Sequence, residues 1–283
     1  MASTTETFRI PIGDWVERGV EWIQDHLTGV LDGISDGLTF VIDAFEDGLL
    51  ALPPLALAAA IVALAAWRVG WRFGIFAVLS MTLIFGMQIW DETVSTLALV
   101  IGSSLLALVV GIPIGIAMAR NDAVEMLVRP VLDFMQTMPP FVYLIPAAIF
   151  FGLGKVPGAI ATLIFAMPPA VRLTNLGIRQ VSEENVEAGL AFGCTPRQLL
   201  FKVQLPLAMP TIMAGVNQTI MLALSMVVIA SMIGAGGLGN TVLTGIQRLD
   251  VGLGFEGGLG VVLLAILLDR ITQSFGAARR DAP

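Results

Sequence analysis

The chain offers little with which to make or break bonds. Its single cysteine, Cys194, and single histidine, His26, exclude a disulfide framework and a clustered cysteine or histidine metal site. No His, Cys or paired-carboxylate constellation falls at membrane depth, so no catalytic residue is assigned and no metal is expected. Two glycine-rich strings look like nucleotide-binding fingerprints, and both are rejected. Gly234-Ala235-Gly236-Gly237-Leu238-Gly239 fits G-x-G-x-x-G, with Glu256 about twenty residues beyond, but a dinucleotide site needs a preceding strand and a soluble βαβ unit. Here an apolar span precedes it, and the string is expected to be a flexible extracellular turn. Gly152-Leu153-Gly154-Lys155 lacks both the spacing and the following Ser or Thr of a phosphate-binding loop. The chain is therefore expected to carry no cofactor and no ATPase of its own.

What remains is a mechanical kind of chemistry. Glu187-Ala188-Gly189, three residues, Gly193, nine residues, then Val203-Gln204-Leu205-Pro206 form a polar stretch between apolar ones. Ser182-Glu183-Glu184 reads as a helix start, a hydroxyl cap followed by acids at the positive end of the helix dipole. Gly193 suits a C-terminal stop. Thr195-Pro196-Arg197-Gln198 fits a capping box, with Thr as N-cap, Pro at N1 and Gln at N3. Two short helices joined at Gly193-Cys194 are expected, a place for another protein to push. The plain alternative is a helical hairpin with no partner.

A second set of polar residues lies inside apolar stretches, where they are costly and mark candidate sites. They are Asp133, Gln136, Thr137, Asn217, Gln218 and Ser225. Asp133 falls near a span end, where hydration would suffice. Asn217 and Gln218 lie deeper and either tie helices together or line a pore. Phe134, Phe141 and Tyr143 have the ring type that attracts a quaternary ammonium, with core packing as the plainer role. The candidate substrate path is thus Gln136, Thr137, Phe141, Tyr143, Asn217, Gln218 and Ser225.

The elements that must position these residues are membrane helices. Apolar residues make up 56% and charged residues 13%, where soluble domains run near 45–50% and about 25%. Seven spans are expected, at about 50–67, 73–90, 94–119, 131–152, 157–173, 207–233 and 256–275. Pro139-Pro140, Pro146 and Pro168-Pro169 interrupt the fourth and fifth, which should be kinked and buried against protein. Gly111-Ile112-Pro113-Ile114-Gly115 offers a small-xxx-small face for close helix packing. Four regions follow: an acidic segment 1–48, two accessory spans in 49–90, a core over 91–275 with the polar loop 174–206, and a tail 276–283.

The segment 1–48 holds ten acidic and two basic residues, a balance of −8, while the other 235 residues carry +1. It has no apolar core or cleavage site of a signal peptide. Trp15, Val16, Val20, Ile23 and Leu27 recur at helical spacing between acids, which suits a helix lying at the membrane interface; a solvated lead-in is the alternative. Eleven Lys and Arg fall in one set of connections and four in the other. The positive-inside bias puts the N-terminus outside, and the C-terminus and the Glu187 segment in the cytoplasm.

The 187–206 spacing resembles the EAA loop of ABC-importer permeases, whose pattern is Glu-Ala-Ala, three residues, Gly, nine residues, Ile-x-Leu-Pro. Gly189 replaces the second Ala and Val203 the Ile. The strings Leu132–Pro146, Phe150–Gly158 and Phe201–Gln218 look like glycine betaine/proline-type permeases, and the likeness covers roughly residues 90–275. The resemblance implies an all-α polytopic membrane protein with the type I ABC-importer permease (MetI-like) core, in the cell membrane. It implies a second copy of the chain, two cytoplasmic ABC ATPases that bind ATP and Mg, and an extracytoplasmic substrate-binding protein, with no nucleic acid. Coupling to the ATPase is carried over to Glu187, Ala188, Gly189, Gly193, Thr195, Pro196 and Arg197. The implied cargo is glycine betaine, proline betaine or another compatible solute. Alternatives are a same-fold permease for choline, carnitine, ectoine or a sulfonate, or a channel or signalling protein with a docking loop.

Overall fold

The computed structural model describes residues 11–276, and among them every regular element is a helix. Arg9, Arg279, Arg280 and nearly all of the 276–283 tail lie outside the described residues.

Helix α1, Ile12–Leu50, leaves helical geometry only at Leu27. It has three distinct faces. Leu31, Leu38, Ile42, Phe45 and Leu49 turn toward the rest of the protein; Asp32, Asp36, Asp43 and Asp47 are exposed; Trp15, Trp22, Val30 and Ile34 form an apolar side that is exposed among the described residues. α1 meets α2, Pro54–Arg68, at 99°, so it lies across the ends of the spans rather than along them. α3, Trp71–Gly86, returns beside α2, and Gly74 lets the two backbones close on Ala66.

The core is three long helices: α4, Trp90–Arg120, α7, Lys155–Arg179, and α10, Leu205–Ser231. α7 lies between the other two. Small residues set that arrangement. A Cβ on Gly115 would stand 2.6 Å from the Val171 carbonyl oxygen, and one on Gly215 would stand 3.2 Å from that of Pro169. Lipid is as apolar as leucine, so close van der Waals contact rather than the hydrophobic effect holds such helices together. The packing face expected at Gly111 and Gly115 is thereby used, against α7.

Between α4 and α7 run α5, Asp122–Thr137, and α6, Pro140–Phe151, bent by 98°. The break has a local cause: a residue before proline is pushed out of the helical region, and Met138 and Pro139 are extended at ψ 135°. The fifth span behaves otherwise: α7 stays one helix through Pro168-Pro169, and both prolines are buried against protein as expected. After α7 come α8, Glu183–Ala191, and α9, Pro196–Leu199. A π turn, Leu200–Gln204, leads into α10. α11, Gly237–Arg248, and α12, Val251–Gly276, complete the chain.

Six of the seven expected spans each fall on one helix, while the fourth, 131–152, straddles the α5–α6 break, and not all are long enough to cross a membrane. Four are, and up to six if each bent pair counts as one span. At 1.5 Å per residue the 15 residues of α2 rise about 22 Å, short of a hydrocarbon core of about 30 Å.

Contacts sort the helix ends into two groups. At one end Arg68 donates to the Ser274 carbonyl and Arg179 to that of Met118. At the other, Lys155 pairs with Glu46, the Gly154 N–H donates to the Ile233 carbonyl, and the Leu238 N–H to Thr96 Oγ1.

Candidate functional site

The polar stretch 182–206 forms a hairpin at the first of these ends. Ser182 occupies the N-cap position of α8, but its hydroxyl accepts from the Asn185 side chain rather than from the backbone, so the expected hydroxyl cap is not made. The stop at Gly193 is as expected. Its φ is +79°, its N–H bonds the Leu190 carbonyl, and the Cys194 N–H bonds that of Gly189. This is the Schellman pairing, which needs a left-handed residue. Thr195 and Gln198 make both bonds of the capping box.

The second helix is not a separate short one. α9 runs through the π turn into α10, giving 36 continuous residues from Pro196 to Ser231. The wide turn follows from Pro206, which cannot donate to the Lys202 carbonyl and would crowd it; the Leu205 N–H reaches back to Leu200 instead.

Of the coupling candidates, Glu187, Ala188, Gly193, Thr195, Pro196 and Arg197 are exposed. Gly189 is not: it is buried, and a Cβ there would stand 2.7 Å from Leu199 Cδ1. Its smallness closes the hairpin on itself, which corrects the partner-facing role expected from sequence. The tip carries a residue that sequence reasoning missed. Phe192 is 91% exposed, with Leu190 beside it half exposed. An aromatic inside a polar loop was the available signal.

Four residues before α8, Arg179 closes a polar junction of three helices. Its guanidinium donates to the terminal carbonyl of α4 at Met118 (2.8 Å) and to Asn175 Oδ1 (3.0 Å), and pairs with Asp122 (2.6 Å) and Glu125 (2.9 Å) of α5. Asn175, itself buried, donates to Glu125 at 3.0 Å. Asp133 pairs with Arg172 and is largely exposed. None of these partnerships was read from the sequence, because none is local.

The candidate path residues divide. Gln136, Thr137 and Phe141 are exposed on either side of the α5–α6 break. Gln218 and Ser225, seven residues apart, are exposed on one face of α10. Tyr143 is buried at 8%, in a cluster with Leu144, Ala161 and Met226, so its ring is core rather than a lining group. Asn217 donates from Nδ2 to Asp269 Oδ1 of α12 at 2.8 Å, and Gln273 donates to the same oxygen. Asp269 was the missed partner, an acid inside the last apolar span.

The Gly234–Gly239 string is not the flexible turn expected. Gly237 and Gly239 open α11, Leu238 is fully buried, and a Cβ on Gly239 would stand 2.3 Å from the Val227 carbonyl oxygen. Among the described residues no group of His, Cys, Asp or Glu could hold a metal.

Comparison with known proteins places this geometry. The family described as binding-protein-dependent transport system inner membrane component matches residues 111–280. The glycine betaine/proline betaine transport system permease protein ProW of Escherichia coli is 50% identical over 96% of this chain and 77% of its own length. The glycine betaine/carnitine transport permease protein GbuB of Listeria monocytogenes is 52% identical over 94% of this chain and 95% of its own. An inward-facing structure of the MetNI methionine ABC transporter superposes with a TM-score of 0.57 at 22% identity, over 66% of this chain and 92% of that one. The last likeness concerns the fold alone. The chain belongs to the inner-membrane components of binding-protein-dependent transport systems.

Proposed function

We propose that the chain is the translocating subunit of an ATP-driven importer for glycine betaine, proline betaine or a related methylated ammonium solute. One observation carries the coupling part of this reading. The hairpin presents Phe192 and Glu187 to solvent at its tip, and its second arm is continuous with the long helix α10. Two partner ATPases that bind ATP and Mg would seat on that tip. Their closure would push the hairpin, displace α10 and α7 together, and alternate the access of a path between the core helices. The relatives' substrates and the basic-residue bias support the direction, with the hairpin cytoplasmic, the N-terminus outside and an external binding protein delivering the solute.

A second copy of the chain belongs to this reading. Met126, Leu127, Val131 and Phe134 on α5 and Phe141, Ile145 and Ile149 on α6 form an exposed apolar face among the described residues. One copy has too few core helices to enclose a path. α1, with one side on the protein, one apolar side exposed and one acidic side, suits the corner between the outer rim and the lipid headgroups.

The test is reconstitution of the permease with its ATPases and binding protein in proteoliposomes, measuring radiolabelled glycine betaine uptake. Uptake is expected only with ATP and the binding protein together. Equal flux without ATP would replace the importer by a channel. Competition by carnitine, choline and proline betaine ranks the solutes.

A further inference from the structure

We infer that Arg172 and Arg179 are positioning residues that make the broken helix α5–α6 move with the coupling hairpin; the inference rests on the importer reading above. Four observations lead there. First, α5 rests on the core by a single apolar seam: Leu132 is buried and Val124, Val128 and Met135 pack beside it, while Met126, Leu127, Val131 and Phe134 stay exposed. Second, charge pins both of its ends to α7. Arg179 grips Asp122 and Glu125 near its start, and Arg172 grips Asp133 near its end. The two arginines are seven residues apart, two turns along one face of α7, and their partners run in the opposite order along α5. They are rungs of an antiparallel ladder, with Arg129 lining the same cleft.

Third, the upper rung is joined to the hairpin almost directly. Only Gln180, Val181 and Ser182 separate Arg179 from the first residue of α8, and the Gln180 N–H still bonds the Leu176 carbonyl. Arg179 also holds the terminal carbonyl of α4, so a push on α8 meets a joint of three helices rather than a loose loop. Fourth, α5 ends in the extended residues Met138 and Pro139, which let it swing against α6. The ladder therefore delivers the hairpin's displacement to Gln136, Thr137 and Phe141, which flank that break. Exposed ion pairs contribute little to folding stability, so their use here is to set which helix follows which.

The experiment uses the complete transporter in proteoliposomes, reading solute uptake and ATP hydrolysis on the same sample. In Arg172→Gln/Arg179→Gln, uptake per ATP is expected to fall about tenfold at an unchanged permease level. Because that double variant removes a helix-end contact as well, the single Arg172→Asp and the swap Arg172→Asp/Asp133→Arg complete the test. The single change should lower uptake per ATP, and the swap, which rebuilds the rung with reversed charge, should restore it. A purely structural rung would lower protein level or thermal stability and leave the ratio alone. An unchanged ratio in the double variant, or a swap that fails to restore it, overturns the inference. Absence of ATP-driven uptake in the unsubstituted complex overturns the importer reading itself.

Discussion

Two glycine-punctuated turns stand at opposite ends of the arm that contains α10; both need left-handed backbone, at Gly193 in the first and at Gly234, Gly236 and Gly237 in the second, but only the second also needs glycine for lack of space. At Gly193 the backbone needs φ +79°, and an added Cβ would meet nothing within 4 Å. At Gly239 a Cβ would meet the Val227 carbonyl oxygen at 2.3 Å, and at Gly237 it would meet Thr96 Oγ1 at 2.4 Å. The first turn leaves Phe192 exposed, while the second buries Leu238 completely and satisfies its N–H with Thr96. Gly193 is there for what the backbone must do, Gly239 for what the side chain must not occupy. The arm is thus free at one tip and tightly packed at the other. A helix held at one end and pushed at the other is a lever, which is the mechanical demand of the proposed function.

The largest effect should come from breaking the packed end. Gly239→Val places branched carbons where α10 backbone lies, and overpacking of this kind costs about 3 kcal/mol. We expect a steep loss of folded, monodisperse permease after detergent extraction. Normal recovery would mean that α11 can shift away, and that the second turn is not the fixed end of the arm.

The free tip should respond in the opposite way. Phe192→Ala removes no contact that the chain itself needs, so extraction and thermal stability should stay unchanged. Binding of the ATPase should weaken by about 2 kcal/mol, as expected for an aromatic anchor at an interface centre. Titration of the purified ATPase against the permease in nanodiscs checks this. Unchanged affinity would remove Phe192 from the contact and leave Glu187 as the remaining exposed anchor.

Gly193 sharpens the contrast. The sequence suggests a steric reason for glycine there, a partner pressed closely against it. The structure supplies a conformational one, and any side chain in a left-handed conformation costs about 1 kcal/mol. Gly193→Ala and Gly193→Leu should therefore lose similar thermal stability. If both also lose similar uptake, conformation alone explains the residue. If Leu abolishes uptake and Ala does not, a partner surface approaches the turn closely.

Local chemistry explains what was legible in the sequence. The Gly193 stop, the Thr195–Gln198 box, the Met138–Pro139 break and the glycines of α4 each act within a few residues or one helix face, so their residue types announce them. The apolar runs placed six helices for the same reason, and the remaining run fell across the α5–α6 bend. What escaped depends on partners distant in sequence. Gly189 faces inward because Leu199 folds back over it, and Asn217 has Asp269 as partner across 52 residues. α11 was read as part of a turn because its glycines look like breakers, although they serve close packing. The 99° bend after α1 is likewise set by what α1 lies on.

The smallest expected effect lies between the two turns and asks whether the lever moves alone. Asn217 on α10 and Gln273 on α12 share Asp269 Oδ1, at 2.8 and 2.7 Å, while Asn217 Oδ1 is buried without a partner. Asn217→Leu removes one interhelical bond and leaves Asp269 still held by Gln273. Such bonds contribute about 0.6 kcal/mol on average in a membrane protein, so thermal stability should fall only slightly. Asp269→Leu should cost more, because Asn217 and Gln273 both lose their acceptor. Combining the two should add almost nothing to Asp269→Leu, since the bond is already gone. That non-additivity, measured by thermal unfolding, identifies a tie that makes α12 follow α10. Strict additivity would dissolve the tie. A large uptake loss in Asn217→Leu at normal stability would instead put Asn217 on the solute path beside Gln218 and Ser225.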